Sequence, residues 1–167
     1  MSETYVECLV NREPSLIGRL VKTVFIMMTV VFVLLGFLGV VFIVPFIFAI
    51  ATGVAAYFVH LNTYIEYEYL YLDKELSVDK IKAQTRRKKV ATFEVERIEI
   101  LAPIKSYHLD NYKNRNVKVT DYSIGREEQP DTRYVMYYDG NQQIILSPNE
   151  ALIKAIRNVS PRKVFLD

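Results

Sequence analysis

The sequence predicts an α+β membrane protein: an N-terminal transmembrane helical hairpin, then an antiparallel β domain closed by a C-terminal helix. Three observations predict it. Thr23 to Ile65, about 43 residues, contains no Asp, Glu, Lys or Arg, roughly twice the ~20 residues that one helix needs to cross a bilayer. From Tyr64 onward the apolar residues recur with period 2, the period of a half-buried strand. At the end of the chain Leu152, Ile153, Ala155 and Ile156 recur at helical spacing.

The N-terminal segment, residues 1–15, precedes the apolar block. Its Glu3–Val10 stretch alternates and reads as an edge strand of the downstream domain; a short amphipathic helix on the membrane is the other reading. The apolar block is too long for a secretory signal, whose apolar core is ~7–15 residues. As one helix it would be about 65 Å long, against a hydrocarbon core of ~30 Å. Residues 16–62 are therefore predicted as two spans. Gly36-Phe37-Leu38-Gly39 is the expected turn, because glycine ends helices by adopting positive φ. Val44-Pro45 is the competing turn. The first helix is expected over Leu16–Gly36 and the second over Val40–Asn62, with Pro45 tolerated in its first turns.

Positive charge flanks the block on both sides and is absent from its turn. Arg12, Arg19 and Lys22 precede it; Lys74, Lys80, Lys82 and Arg86-Arg87-Lys88-Lys89 follow it. Basic flanks stay in the cytoplasm, so both termini are expected on the cytoplasmic face of a bacterial inner membrane. Arg19, Lys22, Tyr57, His60 and Tyr64 are the expected anchors at the membrane interface.

Residues 63–167 form the expected cytoplasmic domain. Tyr64–Leu72 and Leu76–Ala83 alternate and should pair across an Asp73-Lys74-Glu75 turn. Gln84–Lys88 reads as a polar connection. Val90–Phe93, Arg97–Leu101 and Val117–Tyr122 are further strands, with loops at 104–116 and 125–132. Arg133–Tyr138 and Gln142–Leu146 flank Asp139-Gly140-Asn141, a hairpin signal. The final helix is expected over residues 148–158, with Ser147 as N-cap, Pro148 at its first position and Glu150 completing a capping box.

Several strands followed by one helix is the order of a pleckstrin-homology-like (PH-like) barrel or sandwich. Tyr67–Leu101, with an aromatic strand, a charged turn, a basic hairpin edge and an apolar strand, resembles the opening of bacterial PH-like domains. The whole chain also resembles a family of small two-span membrane proteins of unknown function from Firmicutes. That resemblance rests on Tyr5–Val10, Asn62-Thr63 with Glu66–Tyr71, Leu101–Lys105, Arg133–Tyr138 and Pro161–Phe165. It implies a membrane-attached domain and carries no activity with it.

Composition narrows the function. The net charge is +2, and residues from Glu66 onward carry 18 Lys+Arg against 16 Asp+Glu. Such balance points away from nucleic acid. Cys8 is the only cysteine, which excludes an internal disulfide and a cysteine zinc site; it reads as a packing residue. No metal or cofactor is expected. His108 with Asp110 and Ser106 is loop composition rather than a catalytic set, so no enzyme is expected.

The strongest charge feature is Arg86-Arg87-Lys88-Lys89 with Lys80 and Lys82. One reading is contact with anionic headgroups, at ~1 kcal/mol per basic residue. The other is a solvated edge whose lysines block edge-to-edge pairing. Tyr67, Tyr69 and Tyr71 share one strand face; it reads as a packed or membrane-resting surface rather than an aromatic ligand groove. The expectation is a non-enzymatic binding or scaffolding module at the inner leaflet, whose partners are the bilayer, an unknown protein or a second copy. The alternative is an oligomeric transport or channel-associated subunit, disfavoured by the lack of charge inside the block.

Overall fold

The computed structural model describes residues 5–39 and 43–166. The chain divides into two compact units. One comprises Pro14–Ile65 with Lys82–Thr85, and the other holds the remaining residues.

The first unit is a pair of packed helices, α1 (Leu16–Phe37) and α2 (Val44–Thr63). Ser15 caps α1, accepting from the Gly18 N–H at 3.1 Å. The helix ends where Gly39 takes φ +71°, a left-handed conformation that costs glycine nothing. Pro45 sits in the first turn of α2; the expected start of that helix at Val40 falls outside the described residues. Both helices are long and apolar enough to cross a membrane. No residue of α1 is buried, whereas α2 turns Pro45, Ala49, Thr52 and Ala56 inward. Small residues let the helices approach closely. A Cβ on Gly36 would lie 2.6 Å from the Phe46 ring. Midway along, the Thr29 hydroxyl donates to Thr52 Oγ1 at 2.9 Å, and Thr52 donates back to Phe48 O.

The second unit is built of two four-stranded sheets. The first has the order β1 (Val6–Asn11), β2 (Ile65–Leu72), β3 (Glu75–Lys82), β4 (Arg86–Glu94). The N-terminal segment is thus a strand: β1 runs antiparallel to β2, with Val10 opposite Tyr67 and Asn11 opposite Glu66. The helical pair is therefore inserted in sequence between two adjacent strands of one sheet. The second sheet has β5 (Ile98–Pro103), β6 (Lys118–Asp121), β7 (Tyr134–Tyr138) and β8 (Gln142–Leu146), in the spatial order β5-β7-β8-β6. Asp139 and Gly140 take positive φ in the β7–β8 turn. β6 departs from the antiparallel expectation: it lies parallel to β8, with Thr120 opposite Ile144.

The core includes Tyr69, Leu76, Val78, Leu101, Met136, Ile144 and Leu146, all fully buried. Helix α3 (Glu150–Val159) adds Leu152 and Ile156 to it, each worth about 1.5–3 kcal/mol when removed from water. Two expectations need correction. The N-cap of α3 is Asn149, whose side chain accepts from Leu152 N at 2.8 Å, so α3 starts at Glu150 and no capping box forms. Ser147 is buried and already committed: its hydroxyl accepts from Ile124 N, and its N–H donates to the Tyr69 hydroxyl. Gln84–Lys88 is not a connection. The turn occupies 83–85, with Ala83 and Gln84 at positive φ, and the basic run lies inside β4.

Candidate functional site

β4 starts one residue after a turn that belongs to the helical unit. There the Ala83 N–H donates to Tyr64 O at 2.8 Å, and Lys82 Nζ donates to Asn62 Oδ1 at 2.8 Å. The same end of the helical pair gathers three of the expected anchors. Lys22 Nζ lies 4.8 Å from the centre of the Tyr64 ring, and the His60 and Tyr64 rings are 4.8 Å apart. Arg19 is exposed, one turn before Lys22, and Tyr57 is half exposed beside Phe58.

The basic run divides by chemistry. On the face of the first sheet opposite Tyr67, Tyr69 and Tyr71, Glu68 and Asp79 are buried to 7% and 8% exposure. Arg87 closes over both. Its Nε donates to Asp79 Oδ2 at 2.6 Å, and its guanidinium pairs with the Glu68 carboxylate. Lys89 pairs with Glu75 at 3.5 Å. Lys80 is half-buried on β3. Arg86 and Lys88 are exposed and form no ion pair among the described residues.

Burial pushes the Glu68 carboxyl above the ordinary range, and its hydrogen bond with Glu7 adds to this, while Arg87 pulls it back. Glu7 moves down instead, first through the hydrogen bond it accepts from the Tyr5 hydroxyl. Arg87 is therefore the counter-ion of a buried carboxylate pair, and half of the sequence-predicted run serves the sheet.

The tyrosine face is core rather than groove. Tyr67, Tyr69 and Tyr71 are at most 4% exposed. The Tyr69 hydroxyl donates to Tyr122 O at 2.6 Å, and burial pushes it up. In the 104–116 loop, Ser106 Oγ accepts the backbone N–H of His108, the His108 ring stacks on Phe165, and Asp110 pairs with Lys113. No group of three or more His, Cys, Asp or Glu able to hold a metal occurs among the described residues.

Two features escaped the sequence. Arg12, just past β1, reaches across to the end of β6: it donates to Asp121 O at 2.9 Å and pairs with Asp121 Oδ2 at 3.2 Å. The Glu13 N–H donates to Ile124 O beside it. The second feature is a cleft of about 270 Å³ bounded by β4 and β6, with Phe93, Tyr138 and Ile144 in its lining. Nothing local in the sequence signals either, because both depend on which strands become neighbours.

Two sheets with a helix at the chain's end is a PH-like arrangement, and the sequence agrees: residues 2–166 match the family described as bacterial PH-like domain (DUF6106). The chain belongs to that family. The matched range takes in the helical pair as well as both sheets of the PH-like domain. No curated protein and no solved structure matches the chain.

Proposed function

We propose that the protein is a non-enzymatic binding or scaffolding module, held at the inner leaflet of a bacterial cytoplasmic membrane by α1 and α2. The observation that carries this reading is the insertion of the apolar pair between β1 and β2. A pair of spans entered from β1 and left into β2 returns the chain to the side it came from. The basic flanks make that side cytoplasmic. Arg86 and Lys88 are the cations available to anionic headgroups, worth together ~2 kcal/mol.

Reporter fusions at Met1 and Asp167 test the topology: both report the cytoplasm if the spans form a hairpin, and opposite sides would overturn it. Headgroup contact is tested with the full chain in nanodiscs. Arg86→Gln with Lys88→Gln should lower capture of anionic vesicles about 30-fold and leave capture of neutral vesicles unchanged. Equal capture of anionic vesicles by the parent and the double variant would refute the contact.

A further inference from the structure

The PH-like domain has four sheet edges, and two are covered. Helix α3 packs against β1, where Cys8 is buried. The C-terminal tail covers β5: Leu101 N donates to Lys163 O at 2.8 Å, and Phe165 N donates back to Leu101 O at 2.9 Å. The other two edges, β4 and β6, have one strand partner each and border the same cleft.

We propose that this cleft takes an extended acidic segment of a partner protein as an added strand. Unpaired backbone along an edge is a template for such addition. The cleft borders Val90–Phe93 of β4, four residues or about 13 Å of strand. Its floor is the edge-to-face pair of Phe93 and Tyr138, 5.1 Å between centroids. Exposed Val90 lies in its lining, giving an apolar contact to a side chain of a guest strand.

Charge selects the guest. Lys118 on β6 and Arg86 and Lys88 on β4 are exposed and make no ion pair among the described residues. The nearby Asp121 carboxylate is engaged by Arg12. Glu94, at the far end, is the single carboxylate on β4. Parallel in-register pairing of β4 with β4 of a second copy would set cations against cations, which edge lysines discourage. An acidic strand is matched instead. The proposal rests on the domain being a binding module; it shares Arg86 and Lys88 with the proposed lipid contact, whereas Lys118 lines the cleft itself.

The test uses the full chain in neutral phosphatidylcholine nanodiscs and a labelled octapeptide of alternating glutamate and valine, followed by fluorescence polarisation. Saturable binding is expected, with none for the lysine–valine counterpart. N-methylation of one alternate set of peptide amides should abolish binding, and methylation of the other set should leave it, because a strand added to one edge directs alternate N–H groups toward that edge. Lys118→Glu should weaken binding about tenfold with an unchanged unfolding midpoint, and Lys118→Arg should retain it. Absence of binding, equal binding of both peptides, or indifference to either methylation pattern would overturn the proposal. Failure here alongside capture of anionic vesicles through Arg86 and Lys88 would leave the membrane-module reading standing.

Discussion

Arg87→Gln separates a structural cation from the cations proposed to face lipid. The substitution keeps a polar side chain but removes the charge shared by Glu68 and Asp79, whose side chains are 9% and 12% exposed. Losing hydrogen bonds to charged groups costs ~1.5–3 kcal/mol, and stranding a buried charge costs ~3–5 kcal/mol. Arg87 is itself 51% exposed, so water can enter and replace part of what it supplies, which argues for ~1–3 kcal/mol. In a chain of this size that lowers the unfolding midpoint by roughly 3–9 °C.

The loss also depends on pH. The folded-state carboxyl of Glu68 is already raised, and removing Arg87 raises it further. A raised folded-state value means the protonated form favours folding, so that contribution is present in acid and is lost as pH rises through the raised value. The variant's deficit should be largest at neutral pH and shrink toward acid, where Glu68 is neutral in both proteins. Circular dichroism melts of the full chain in detergent at several pH values read this directly. Glu68→Gln in the Arg87→Gln background should recover part of the loss. A deficit that is small, or flat with pH, would refute the counter-ion role. So would an equal deficit in Lys88→Gln.

Three other outcomes are expected. Asn149→Ala removes the α3 cap and should cost ~1 kcal/mol of stability in chemical denaturation, with Ser147→Ala behaving differently because its hydroxyl serves Ile124 N. Thr52→Val breaks the hydroxyl contact with Thr29 and should loosen helix pairing by ~0.6 kcal/mol, read by steric trapping or by crosslinking of cysteines placed in α1 and α2. Replacing Pro14–Ile65 by a short Gly/Asn linker should give a soluble, folded PH-like domain, because β1 and β2 are antiparallel neighbours already in register; an unfolded product by circular dichroism and amide exchange would show that the sheets depend on the helices.

What the sequence made legible follows from how local each signal is. Long apolar runs, period-2 strands and the Asp139-Gly140 turn are written in neighbouring residues, and they correspond to α1 and α2, β2, β3, β7 and β8. Arg86–Lys89 misled because four consecutive cations show no alternation, yet they sit in a strand whose neighbours bring Glu68, Asp79 and Glu75 to meet Arg87 and Lys89. Ser147 misled because the serine–proline–x–glutamate pattern is a good cap locally, while Tyr69 and Ile124, distant in sequence, claim the serine first. The cleft and the parallel pairing of β6 with β8 lie beyond any local pattern, since they are consequences of strand order.

The division of the basic run changes what membrane contact can accomplish. Four free cations at the surface would supply ~4 kcal/mol, close to a thousandfold in affinity. With Arg87 and Lys89 held by carboxylates, Arg86 and Lys88 would supply ~2 kcal/mol, about thirtyfold. Membrane-spanning helices insert in an effectively irreversible way, so retention by α1 and α2 as proposed would not depend on those two residues. An energy too small to matter for retention can still matter for choice, by favouring one headgroup or one partner strand over another. On the proposed reading α1 and α2 set where the protein is held, and the open side of the PH-like domain, from Arg86 and Lys88 to Lys118, sets what it meets there.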